Sequence, residues 1–202
     1  MIGRRVFLVC LPLALCLAAP RVRAATDSPA ATITSLQQGL IAAARDSKAP
    51  IEERYRTLEP LIVATHNLPY IAEFALRRQW STLAEADRQR FIAVFQRLSV
   101  MTYAARFKAV GNDTFRAVTP GAADASGRVQ VTTAVARASQ PDVSLEYLLQ
   151  KDGESWRIIN IVADGVSDLA LKRAEYQRVF ASGGIEGLIA ELEQQADRLE
   201  GG

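Results

Sequence analysis

Residues 81–110, STLAEADRQRFIAVFQRLSVMTYAARFKAV, constrain the fold more than any other stretch. Thr82 with Glu85 three residues on makes a capping-box start, with Ser81 as the alternative cap. The apolar spacing predicts one helix running to Val110 and stopped by Gly111-Asn112. Its apolar residues fall on two lines. Phe91, Phe95, Leu98 and Thr102 make one; Ile92, Tyr103, Phe107 and Val110 make the other, about a third of a turn away at ~100° per residue. Such a helix needs two apolar neighbours. Either protein elements flank it on both sides, or core lies on one side and an apolar space on the other.

The rest of the chain supplies the neighbours. Helices are expected over 30–45, with Ile33, Leu36, Leu40 and Ala44 at helical spacing, and over 50–63, with Tyr55, Leu58 and Ile62 on one face. A short helix, LPYIAEFAL, has Pro69 near its start. Four strand candidates follow: TFRAV, RVQVTTAVARA, VSLEYLLQ and WRIINIVA. Val129, Val131, Thr133 and Val135 share one face of the second, and Val143, Leu145, Tyr147 and Leu149 one face of the third. PGAADASG, SQPD and KDGES read as the turns between them, the last a hairpin signal of the Asp-Gly kind. Two helices, 166–181 and 185–199, close the chain on either side of Gly183-Gly184. Helices, then strands, then helices is an α+β order, with a four-stranded antiparallel sheet under several helices. Such a sheet can enclose an apolar cavity or pack into a filled core; composition describes both equally.

The first residues bear on compartment. Arg4 and Arg5 precede the apolar run VFLVCLPLALCLAA, and Val22 and Ala24 stand at the small-residue positions of a cleavage site. Residues 1–24 are therefore expected to be a signal peptide, with 25–202 a single exported, periplasmic domain. An uncleaved anchor and a lipoprotein through Cys16 are the alternatives, the latter disfavoured by Leu15. Cleavage removes four of the 24 basic residues, leaving 20 against 22 acidic, a net charge of −2. The basic character of the whole chain is thus no argument for nucleic acid. Cys10 and Cys16 leave too, so the mature domain holds together by its core alone.

Chemistry is sparse. One histidine, His66, and no cysteine remain after cleavage, which removes thiol nucleophiles, zinc clusters and two-histidine metal sites. His66, in ATHNLPY, reads as a capping or surface residue. No GxSxG elbow, phosphate loop or dinucleotide fingerprint is present; the glycines of ASGGIEG follow a helix and read as a cap and turn. Asp164 is the one acid that follows a buried strand. It suits capping of the helix expected from Val166, with Ser167 as a second candidate cap and Gly165 allowing the turn. The competing role is proton transfer at a pocket mouth, as in a small isomerase or hydratase. Arg77, Arg78, Arg88, Arg90, Arg97, Arg106 and Lys108 form a loose basic set, read either as a solvated face or as a contact for anionic headgroups or an acidic partner.

NLPYIAEFALRRQWSTLAEADRQRFIAVFQRLSVMTYAARF resembles the central segment of MlaC-like proteins, the periplasmic lipid shuttles of MCE-type ABC transport systems, also called toluene-tolerance auxiliary proteins. The markers are Leu76 before Trp80, LAEADRQRF and Thr102-Tyr103. WRIINIVADGVSDLALKRAEYQRVFASGGIEGLIAEL resembles the C-terminal segment, through Asp164, Gly165-Val166-Ser167, Arg173, Phe180 and Gly183-Gly184. TYAARF and WRIINIVADG look like the hopanoid-associated branch, HpnM. One departure is Arg77, where the family pattern has glycine. The resemblance implies an NTF2/cystatin-like fold, a curved sheet whose covering helices enclose a lipid's chains, and no enzyme activity or cofactor. It implies a phospholipid or hopanoid as cargo and transient membrane contact. An inner-membrane MCE-type ABC complex is the implied partner, with an outer-membrane lipoprotein complex as a further one. Phe91, Phe95, Leu98, Tyr103, Phe107, Val131, Val135, Leu145, Tyr147, Trp156 and Ile158, chosen by periodicity, are expected to line the lipid slot. A non-catalytic adaptor without cargo is the alternative, alongside the Asp164 enzyme.

Overall fold

Ser28 opens the first helix by accepting a hydrogen bond from Ala31 N at 3.1 Å, with Pro29 in the first turn. The structure, a computed structural model, describes residues 28–45, 48–106, 114–137 and 140–201. The expected signal segment 1–24 therefore lies outside the described residues. The elements are α1 (Pro29–Ala44), α2 (Ile51–Thr65), α3 (Leu68–Leu76), a single 3-10 turn (Trp80–Thr82) and α4 (Glu85–Arg106). The strands β1 (Thr114–Phe115), β2 (Thr119–Ala123), β3 (Val129–Arg137), β4 (Gln140–Asp152), β5 (Ser155–Ala163) and β6 (Val166–Ser167) follow, and then α5 (Asp168–Glu200). No described helix is long and apolar enough to cross a membrane.

The sheet is antiparallel and curved, with β1 and β2 on one edge of β3 and the order β3-β4-β5-β6 from there. The mixed architecture matches the expectation, but the strand count does not. β2 lies in PGAADASG, which reads as a turn in the sequence. Pro120 and Gly121 are poor strand residues, tolerated because β2 is a fully exposed edge. Between Leu148 and Leu149 the register slips: Leu148 opposes Asn160 while Leu149 opposes Ile158, which leaves Ile159 as the extra residue of a bulge.

Turn chemistry accounts for the corners. Gly153 (φ 61) takes the first position of the two-residue loop between Asp152 and Ser155. Asp164 (φ 48) and Gly165 (φ 80) are both left-handed between the paired Ala163 and Val166, the signature of a type I′ turn. Asp164 is thus not a helix cap. Its carboxylate accepts from Ser144 N at 2.8 Å, tying the corner to β4, while Ser167 Oγ accepts from Ala170 N and starts α5. The break at Gly184 is as expected: φ 61 with ψ −159 interrupts α5 in a region that only glycine occupies comfortably.

One expected boundary of α4 moves. α4 begins at Glu85, after the 3-10 turn has used Ser81 and Thr82, whose hydroxyls donate back to the carbonyls of Arg78 and Gln79. The expected end at Val110 lies outside the described residues. α4 packs against α2, α3 and α5, so it has protein neighbours on more than one side. Phe91 and Phe95 meet Tyr176 of α5 edge-on, with centroids 6.0 and 6.3 Å apart.

Candidate binding site on the covered face of the sheet

Register puts one side of β3, β4 and β5 into rows: Val129–Leu149–Ile158, then Val131–Tyr147–Ile161, then Thr133–Leu145–Ala163, and last Val135–Val143. This is the face that the helices cover. Thr32 of α1 donates to the Trp156 carbonyl at 3.0 Å, and Gln37 donates to Thr133 Oγ1 at 3.3 Å. Thr133 in turn donates to the Arg116 carbonyl at 2.7 Å, so this buried hydroxyl is fully engaged. Along the rows, burial changes. Leu149 and Ile158 are 0 % exposed and Tyr147 4 %, whereas Ile161, Leu145, Ala163, Val135 and Val143 are only partly buried.

Six of the residues chosen by periodicity share this face: Val131, Val135, Leu145, Tyr147, Trp156 and Ile158. Trp156 stands at the rim, with Lys151 Nζ 5.9 Å from its ring centroid. Tyr103 reaches toward the face from α4. Phe91, Phe95 and Leu98 lie in the helical layer, all nearly inaccessible and continuous with the same core. Phe107 lies outside the described residues, as does Lys108 of the basic set.

His66, expected at the surface or as a simple cap, is buried at 4 % exposure. α2 ends there in extended backbone, His66 bridges Ile158 of β5, and Asn67 N donates to the Ile158 carbonyl at 2.9 Å. Its Nε2 is 3.0 Å from Tyr103 Oη, and its Nδ1 is 3.2 Å from the Ile62 carbonyl and 3.0 Å from Thr65 Oγ1. Burial pulls the imidazole from 6.5 down to about 4, only partly opposed by the Ile62 carbonyl, so the ring is neutral near pH 7. Burial likewise raises the Tyr103 and Tyr147 phenols. A sequence signal for the inward histidine exists: Leu58, Ile62 and His66 repeat every four residues on the buried face of α2.

The chemistry available here is binding by apolar surface with a few neutral hydrogen-bonding groups. Among the described residues no cluster of three or more His, Cys, Asp or Glu side chains stands ready for a metal. Asp164 sits on an exposed turn with its carboxylate occupied. Of the basic set, Arg90 is bidentate to Glu186 at 2.6 and 2.8 Å, Arg97 reaches Asp197 and Glu200, and Arg88 reaches Glu85 and the Trp80 carbonyl. These three are structural clamps between or within helices. Arg77 lies at φ 48 and ψ −109, a conformation suited to the glycine that the family pattern carries there.

A solved structure has the same fold. The phospholipid-binding protein from Ralstonia solanacearum, determined in complex with a phospholipid, superposes with a TM-score of 0.71 at 21% identity, over 84% of this chain and 97% of that one. No curated protein matches the chain. The family profile described as "MlaC protein" matches residues 34–194. With most of its length covered by that match, the chain belongs to the MlaC family.

Proposed function

We propose that this protein is an exported, non-enzymatic carrier that holds the acyl or polycyclic part of a membrane lipid against the covered face of its sheet. The observation that carries the reading is that face: Val131, Val135, Leu145, Tyr147, Ile158 and Ile161 in register, dry at one end and partly exposed at the other. Each methylene leaving a bilayer costs about 0.8 kcal/mol, so a sixteen-carbon chain needs on the order of 12 kcal/mol of replacement burial. Polar linings cannot provide it. Family membership and the phospholipid in the Ralstonia protein support the same conclusion.

In this reading the lipid enters beside Val135 and Leu145, and Tyr103, bonded to His66, borders the space further in. Separation of helices from sheet then exposes Val131, Tyr147, Trp156 and Ile158 on one wall and Phe91, Phe95 and Leu98 on the other. Phe107 is assigned to the same lining from the sequence repeat alone and lies outside the described residues. The signal peptide ends at Ala24 and the compartment is the periplasm. An inner-membrane MCE-type ABC complex exchanges the cargo, and an outer-membrane lipoprotein complex stands at the other end of the route. Phospholipid is the family's cargo and a hopanoid the branch-specific one. Mass spectrometry of organic extracts from the purified protein is the test, with phospholipid or hopanoid recovered near one per chain as the expected result. Protein that is always lipid-free and takes up nothing from vesicles of either composition overturns the reading.

A further inference from the structure

A second groove, of about 200 Å³, lies between α3, the β5–β6 corner and the first turns of α5. Its walls are mainly apolar, with Phe74, Leu148, Ile159 and Leu169 among them. One side is cationic. Among the described residues Arg173 has no carboxylate partner, and its Nε is buried there without any hydrogen bond. Its guanidinium stands 5.5 Å from the Phe74 ring centroid. Arg77, also without a carboxylate among the described residues, stands 4.8 Å from the same ring.

The neighbouring charges are already matched. Arg128 spends its guanidinium on Asp124, with Nε and Nη2 at 2.9 and 2.8 Å. Asp168, in the first turn of α5, is held by Lys172 Nζ at 2.6 Å. The first amides of α5 are also taken: Ala170 N by Ser167 Oγ and Leu169 N by Asn160 Oδ1. What remains unmatched in the groove lining is Arg173; Arg77 is exposed to solvent and lies outside that lining. Buried donors are almost always bonded, and an orphan on a guanidinium is most directly satisfied by an oxyanion that matches its fork. A volume of about 200 Å³ corresponds to roughly seven waters at ~30 Å³ each, the size of a headgroup rather than a chain.

We propose that this groove binds a phosphate-type oxyanion, with Arg173 as its principal ligand. Two sources carry that group, free phosphate and the phosphate of an amphiphile; the amphiphile arm rests on the carrier reading above. Isothermal titration of the mature chain at low ionic strength compares inorganic phosphate with dihexanoyl phosphatidic acid below its micelle concentration. Binding of either probe, weakened by roughly tenfold or more in Arg173→Gln and less in Arg173→Lys, is expected. Arg116→Gln, at an exposed ion pair with Asp142, is expected to bind as the parent does.

Equal Arg173-dependent binding of the two probes assigns free oxyanion; binding of the amphiphile alone assigns the headgroup. Absence of binding by both at millimolar concentration, or an Arg173→Gln affinity equal to the parent's, overturns the proposal. Melting midpoints check that the variants fold. If Arg173→Gln does not fold, phosphate-induced amide shifts in the unmodified chain decide: shifts confined to Asn160, Leu169 and Ala170 support the site, and scattered shifts sink it. Lipid content is measured on the same preparations. Lipid-free protein with Arg173-dependent phosphate binding defeats the carrier reading alone, and lipid-loaded protein indifferent to Arg173 defeats this proposal alone.

Discussion

At one end of the covered face, Val129, Leu149 and Ile158 are shut away from water; at the other, Val135, Val143 and Leu145 keep part of their surface in it. The residue types and the alternation are the same. What differs is the cover. α1 is fastened over the first end through Thr32, and the α2–α3 junction runs beside β5 through His66 and Asn67. Toward the second end α1 reaches as far as Thr133 through Gln37, and beyond that row Val135 and Val143 are only partly covered. Identical apolar patterning thus yields core at one end and an accessible surface at the other, and only tertiary contacts decide which.

The sharpest test compares two leucines on one strand. Leu149→Ala at the closed end is expected to cost about 2–5 kcal/mol in urea unfolding, and Leu145→Ala less than about 1.5 while lowering lipid uptake. Equal losses of stability would erase the distinction. The closed end should also be the acid-sensitive one. Folded His66 titrates near 4 and the unfolded chain near 6.5, so the unfolded state binds the extra proton. Stability is full above about pH 6.5 and falls with pH toward 4, by about 2 kcal/mol at pH 5. His66→Gln should flatten that part of the curve, and an unchanged slope would mean that the ring is not sealed.

Smaller effects probe the helical side. Tyr176 is 1 % exposed and no described group bonds its hydroxyl, so Tyr176→Phe should raise stability by about 1 kcal/mol. A loss instead would show that the hydroxyl is wet and that this layer is less closed than the sheet beneath it. Arg77→Gly should relieve a strained backbone while losing a ring contact, for a net gain of about 1 kcal/mol or less in melting experiments. Arg77 does not line the groove, so phosphate affinity should stay as in the parent.

Local chemistry is legible in the sequence. LPYIAEFAL spans α3 from end to end, Asp-Gly marks two corners of the sheet, and Gly183-Gly184 marks the interruption of α5. Each of these depends on neighbours in the chain. β2 is illegible because an exposed edge strand with Pro120 and Gly121 carries no alternation to read. The arginines mislead for a related reason: Arg97 meets Asp197 and Glu200, about a hundred residues away, and nothing local to α4 announces that pairing. On the covered face of the sheet, alternation finds which residues share a side. It cannot grade them by exposure, since exposure depends on where α1 and α2 happen to stop.

The glycine at 184 divides more than a helix. Residues 185–200 follow a backbone angle pair that breaks the helical ladder; they are joined to the first part of α5 by Gln195, which donates to Glu175 at 2.7 Å, and to α4 through Arg90–Glu186 and Arg97 with Asp197 and Glu200. The C-terminal segment is therefore fastened partly by its share of the common core and partly by charge. Added salt weakens such fastening while leaving the apolar contacts of Leu188 and Leu192 intact. Amide exchange should then accelerate in 185–200 with ionic strength before it does in 168–183, making the end of the chain the first part of the fold to sense its solution.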